Sequence, residues 1–370
     1  EISSQFITTS SVVDVFSGSL NTRGSSTFHA IDSLVNVFGD IVFRGDADSD
    51  HFFDDSTVNV YDGGDLLTYE QISSLFVSST IFLQGGFVTQ RDSSETILRS
   101  GSTLSLEGTG TLLMHDSSRM AIEQSSAVQV ITDGATATFT DSARLEVYTS
   151  SLVNITAGSV SFEDTSNFNL WEGTFFNLLD GSLFMRGTSR LTAYPFTQGT
   201  IVGGNLHVRD DACVSFIESS ISIVGSIDNN STCSVVFLGG TNITVTGTVQ
   251  ITGSGVIHIS DGSFLHVIDG NIILLDFAQI QSDNGIILVS GGSILGYDFS
   301  TIWADNTTET VVQGGNITIT DSSTMLISNS SSILVTSTNT TQGAVYSQGS
   351  SFVHITEDSE LVVNQGNLEV

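Results

Sequence analysis

Apolar and polar residues alternate along most of this chain in short runs, and the runs come in threes. Between Gly204 and Val224, Leu206 and Val208 share one face, then Val214 and Phe216, then Ile221 and Ile223. A period of two predicts strands with one buried side. Gly, Asp, Asn and Ser bound each run, which is turn chemistry. No segment of comparable regularity shows a helical period.

The triplet restarts about every 23 residues, and sixteen glycines mark the restarts, from Gly18, Gly39, Gly64, Gly86, Gly110 and Gly134 through Gly343 to Gly366. Two residues after each glycine the side chain is aliphatic, with Thr136 the exception. Ten residues after the glycine comes the inward position of the second run, as in Phe28, Met120, Phe168, Val214, Ile257 and Ile302; the third run recurs as Ile243, Leu265, Ile287 and Ile333. Such a period predicts an all-β chain wound into a parallel β-helix, a β-solenoid of about 15 coils with three short strands per coil. One coil cannot bury its apolar face alone, so stability is expected to be shared between stacked neighbours.

The repeat crosses every plausible boundary, so we expect a single continuous domain over 1–370. Loops are expected to bulge at the weakest registers, around Phe52 to Gly64, Ala193 to Gly203 and Gly315 to Gly343. The chain starts at Glu1 and stops four residues into a new coil, as expected for a portion of a longer chain or a subunit of an end-to-end assembly.

Composition narrows the partners. Proline occurs once, at Pro195, as expected where nearly every amide donates to a ladder. The net charge is −31, there is no lysine, and all nine basic residues are arginine. Little is available to neutralise phosphates, which argues against nucleic acid. Five arginines, Arg23, Arg44, Arg91, Arg186 and Arg209, fall five residues after the anchoring glycine, in a column expected to face solvent. No apolar run is long enough to predict a membrane-spanning helix.

Eight Asn-x-Ser/Thr sequons occur, at Asn154, Asn229, Asn230, Asn242, Asn306, Asn316, Asn329 and Asn339, and none lies earlier in the chain. Asn306 and Asn329 occupy one coil position in successive turns. N-glycosylation and a secreted, extracellular protein follow as expectations. Cys213 and Cys233 lie nine and eight residues after Gly204 and Gly225, nearly one column in adjacent coils, and are expected to form a disulfide. Asp276, Asp298 and Asp321 share a turn position in three successive coils. Stacked carboxylates repel unless a cation intervenes, so the column is a candidate Ca²⁺ site, although Asp is also a good turn residue.

The coil period and Gly-x-aliphatic pattern resemble the right-handed parallel β-helix superfamily, which includes pectin-lyase-like carbohydrate enzymes, adhesin passengers and cell-surface repeat proteins. The resemblance covers almost the whole chain and is architectural. An enzyme of that superfamily acting on pectin would imply clustered carboxylates with Gly-His-Gly and Arg-x-Lys motifs. Only Asp210-Asp211 is present, and no histidine sits between glycines. The lyase pattern of Ca²⁺-binding carboxylates and an arginine base finds Arg209 beside Asp210, both at positions that repeat elsewhere in the chain. The leading expectation is a non-enzymatic structural glycoprotein of an extracellular filament, sheath, flagellar hair or coat, partnered by its own copies or other matrix proteins. The alternative is an adhesin or carbohydrate-binding stalk, and a minor one is a pectin-lyase-like enzyme. An exposed aromatic stripe at constant coil position would favour the stalk.

Overall fold

A computed structural model describes residues 5–45, 49–337, 343–364 and 366–369. It is a parallel β-solenoid, with strands and no helix among the described residues. Contacts group the chain into two compact units, one of residues 1–184 with 188–191 and the other of 185–187 with 192–370.

In unit one, the coil opened by Gly110 contributes strands Thr111–Met114, Arg119–Ile122 and Ala127–Val130. The next coil contributes Thr136–Phe139, Arg144–Val147 and Leu152–Ile155. Corresponding strands pair in parallel, placing Leu112 on Ala137, Met120 on Leu145 and Val128 on Val153. These columns form the core, where each fully buried aliphatic is worth about 1.5–3 kcal/mol. Aromatics stack in the same way, Phe53 on Phe76 at 4.4 Å and Phe139 on Phe162 at 4.6 Å between ring centres.

Unit two repeats the plan, with Val214 on Val235, Val235 on Ile257 and Ile280 on Ile302 in the second strands, and Ile243, Leu265 and Ile287 in the third. Two strands here, Gln198–Asp210 and Ser220–Ser231, run through the anchoring glycine without a break. The third strand of one coil thereby continues as the first strand of the next.

The glycine column has a steric cause. A Cβ built on Gly39 would lie 2.5 Å from the carbonyl oxygen of Gly18. At Gly225, Gly247, Gly270, Gly292 and Gly315 the added carbon would overlap the carbonyl of the glycine one coil earlier. Hydrogen on the α-carbon is therefore what lets these coils approach to strand spacing at this corner. One coil departs from the expected anchor. Its register sets Leu112 on Ala137, and Ser159 N–H donates to Ala135 O at 3.3 Å, so buried Ala135 takes the anchor place that the sequence assigns to Gly134. Thr136 faces outward for that reason.

One expected bulge is corrected: residues around Phe52 to Gly64 form regular strands, Asp50–Asp54 and Thr57–Tyr61. The segment before Gly203 enters the strand Gln198–Asp210, whose register with Ser220–Ser231 shifts between Val202 and Asn205. In the long interval before Gly343 the three strands end at Thr336, and residues 338–342 lie outside the described residues.

Two polar ladders hold the turns. After the first strand of several coils, an Asp in the left-handed conformation accepts an N–H from the preceding coil. Asp92 accepts from Glu70 at 3.0 Å, Asp116 from Asp92 at 3.1 Å and Asp141 from Asp116 at 3.3 Å. After the second strand, buried hydroxyls do the same. Ser56 Oγ accepts from Ser33 N–H, Ser79 Oγ from Ser56 N–H and Ser102 Oγ from Ser79 N–H, at 3.0–3.1 Å.

Candidate interaction faces and modification sites

Because inward positions are filled by the core, any chemistry must sit on outward columns or at turns. On the second strands of unit one the central outward column runs Ile7, His29, Phe52, Leu75, Ile97 and Ala121. Ile7 is 56 % exposed, and Phe52, Leu75 and Ile97 are half-buried. Ile31 and Val77 lie in the column beside it. This apolar ladder lies wholly within the residues that precede the first sequon.

Past Ile97 the same face becomes charged. Arg119 donates to Glu95 and Glu146 and, at 2.8 Å, to Tyr148 Oη, tying three coils together. Burial alone would lower the guanidinium pKa, but hydrogen bonds and charge from Glu146 and then Glu95 outweigh it and raise the group above its ordinary value. Burial and then Glu146 push the Tyr148 phenol up. Both carboxylates are taken up by Arg119, so the cluster acts as a cross-coil tie.

The residues considered for lyase chemistry do not converge. Arg209 reaches Asp228 at 3.5 Å, Asp210 accepts from Gly187 N–H at 3.1 Å, and Asp211 accepts from the Thr232 hydroxyl. The Ca²⁺ expectation is corrected too. Asp276 accepts Gly253 N–H at 3.1 Å and Asp298 accepts Asp276 N–H at 3.4 Å, while Asp321 takes the Thr320 hydroxyl at 2.9 Å. All three have positive φ. The column exists because an acidic side chain at a left-handed turn can cap an amide of its neighbouring coil, and no group of three or more metal-ligating side chains occurs among the described residues.

Cys213 and Cys233 form the expected disulfide, with Cα atoms 5.3 Å apart. It staples adjacent second strands at their entry and points to an oxidising environment. No helix among the described residues is long and apolar enough to cross a membrane. The arginine column is exposed at Arg23, Arg44, Arg91, Arg186 and Arg209, and the Arg44 guanidinium lies 4.7 Å from the Tyr69 ring centre in the next coil.

The sequons differ in access. Asn230, Asn242, Asn306 and Asn329 are exposed, and Asn154 and Asn316 are half-buried. Asn229 is a correction. Its side chain is wholly buried and donates to Val256 O at 3.2 Å, leaving no path for a sugar in this fold. Asn339 lies outside the described residues. The glycosylation tripeptide pattern does not distinguish inward from outward strand positions, whereas the alternation around Ile227 and Asn229 does.

Exposed aromatics stack at turns. Phe277 and Phe299, each seven residues after its glycine and more than half exposed, are 5.2 Å apart. In unit one Phe16 stacks on Phe38 at 5.5 Å and Phe38 on Tyr61 at 4.3 Å. Sequence reading identified neither stack: the first was legible as the shared offset of Phe277 and Phe299 from their glycines, whereas in the second the spacing to the glycine varies by a residue between coils. It also missed a small recess lined by His258, Gln281, Ser282, Asp283, Trp303 and Asp305. The signal was present as the 22- to 23-residue spacing of His258, Gln281 and Trp303.

No family model matches this chain, and neither a curated protein nor a solved structure matches it.

Proposed function

We propose that this protein is a non-enzymatic structural glycoprotein of an extracellular filament, sheath, flagellar hair or coat. The observation that carries the reading is the outward apolar ladder of Ile7, Phe52, Leu75 and Ile97 in the sequon-free part of the chain. Sheet faces of this kind are covered when a partner presents a matching face, and a second copy presents the same ladder at the same coil spacing. Sugars on the later sequons keep other flanks solvated. The oxidising environment implied by the disulfide agrees with an extracellular location. Sedimentation of the purified chain over a concentration series, beside Leu75→Glu, tests the reading. Concentration-dependent association that the variant abolishes supports it; a chain that stays monomeric at high concentration, with no filaments in native material, overturns it.

The adhesin or carbohydrate-binding stalk has its own support in the exposed Phe277–Phe299 stack at constant coil position. Binding of the monomeric chain to a glycan array, lost in Phe299→Ala, would favour it.

A further inference from the structure

In unit two the outward column of the second strands runs His258, Gln281, Trp303, Leu326 and His354, one residue per coil. Trp303 is 38 % exposed and forms one wall of the recess of about 80 Å³ that it shares with Gln281, Asp283 and Asp305. Asn306 follows at once, in a left-handed turn with φ 48°. Its Nδ2, the atom that takes a sugar, donates to Asp283 Oδ1 at 2.7 Å. That carboxylate belongs to the preceding coil and to the recess wall. The side chain therefore leans over the rim of the recess, three residues after the indole in sequence.

We propose that this recess seats the first N-acetylglucosamine of a glycan on Asn306, with the Trp303 indole against one face of the sugar ring. The proposal rests on the reading that Asn306 is glycosylated. The axial C–H bonds on one face of a pyranose are apolar and weakly positive, and an indole face is apolar and weakly negative, so the two attract as other aromatic contacts do. Gln281 and Asp283 supply polar partners for the hydroxyl and N-acetyl groups. A neutral sugar suits a site bordered by Asp283 and Asp305, which repel an acidic one. Covalent attachment holds the sugar at high effective concentration, so a shallow recess suffices. One Nδ2 hydrogen remains after glycosylation and can keep the bond to Asp283.

The next coil provides an internal control. Asn329 has φ 53° and donates to Asp305 Oδ1 at 2.6 Å, repeating the geometry of Asn306. The residue three before it is Leu326, which pairs with Trp303 in register. The two sequons differ at the position that matters.

The test uses the full chain secreted from eukaryotic cells, in a Trp171→Phe background so that Trp303 is the sole indole. Glycopeptide mass spectrometry reads occupancy at Asn306. An endoglycosidase then trims the glycans to one N-acetylglucosamine, and Asn306→Gln, or Asn329→Gln for the next coil, trimmed in the same way, provides the chain bare at that site. The single sugar should shield Trp303 from acrylamide quenching and raise the unfolding temperature by about 1–2 °C over the bare chain. Trp303→Leu should remove that difference, and Leu326→Trp should create an equivalent one for the sugar on Asn329. Occupied Asn306 with unchanged quenching, and with no coupling between sugar removal and Trp303→Leu, overturns the proposal while leaving the glycoprotein reading intact. An unmodified Asn306 overturns both at this site.

Discussion

At the residue scale, this fold depends on what is missing from the α-carbon at one corner. A methyl group on Gly270 would collide with the Gly247 carbonyl, which is rigid backbone held in the adjacent coil. Gly270→Ala should therefore destabilise unit two by about 2–3 kcal/mol. Gly262→Ala meets no atom within 4 Å, and its φ of 76° leaves only a conformational cost of about 1–2 kcal/mol. Denaturant melts of the two variants should rank them in that order. His51 is the other residue with a measurable signature. It is buried, accepts Phe28 N–H on Nδ1 at 3.1 Å, and stacks on Phe43; burial and then the charge of His29 lower its pKa from 6.5 to about 4. The unfolded chain thus binds this proton more tightly than the fold does. Stability is fully present above pH 6.5 and falls as pH drops toward 4, by about 3 kcal/mol in all. His51→Gln should flatten that dependence in melts across the same range.

At the scale of the element, the turns hold the strands in register through side chains that complete the backbone ladders. The Ser33, Ser56, Ser79 and Ser102 hydroxyls are such side chains, whereas the buried Ser118 Oγ has no hydrogen-bond partner. Two serines that look alike in sequence should then behave differently. Ser56→Ala strands the buried Ser33 N–H and should cost about 1–3 kcal/mol. Ser118→Ala should be neutral or stabilising, since Ala143 already fills that place one coil later. Thermal melts of the pair decide it. The disulfide closes a sequence separation of 20, for which a double Cys213→Ser, Cys233→Ser variant should lose about 3 kcal/mol. Reductant titration of the unmodified chain should show the same loss.

For the molecule as a whole, the distribution of charge bears on assembly. All nine arginines lie between Arg23 and Arg209, so the chain from residue 210 onward carries acidic residues and no lysine or arginine. Copies carrying −31 repel one another, and the apolar ladder must overcome that repulsion. Association through Leu75 and Ile97 should strengthen as salt is raised from ~0.01 to ~0.15 M, where the screening length falls from about 30 to 8 Å. Light scattering at the two salt levels tests this, and weaker association at the higher salt would argue for contacts between opposite charges instead.

The sequence by itself determined the solenoid, because a period of about 23 residues with doubled alternation leaves no other way to bury Leu206, Val214 and Ile221 together. It also determined the pairing of Cys213 with Cys233, since residues one coil apart must be neighbours. It misplaced the Gly134 anchor, because one inserted residue shifts a register that only hydrogen bonding to Gly110 and Ala135 reveals. It read the Asp column as a cation site because carboxylates in a stack repel; the amides they cap become visible only when the turn dihedrals are known. It treated all sequons alike, whereas the inward turn of Asn229 and the lean of Asn306 toward Asp283 depend on which face each residue occupies. Period is a property of the chain. The facing and hydrogen bonding of individual side chains are properties of the stacked coils, and tertiary structure decided them.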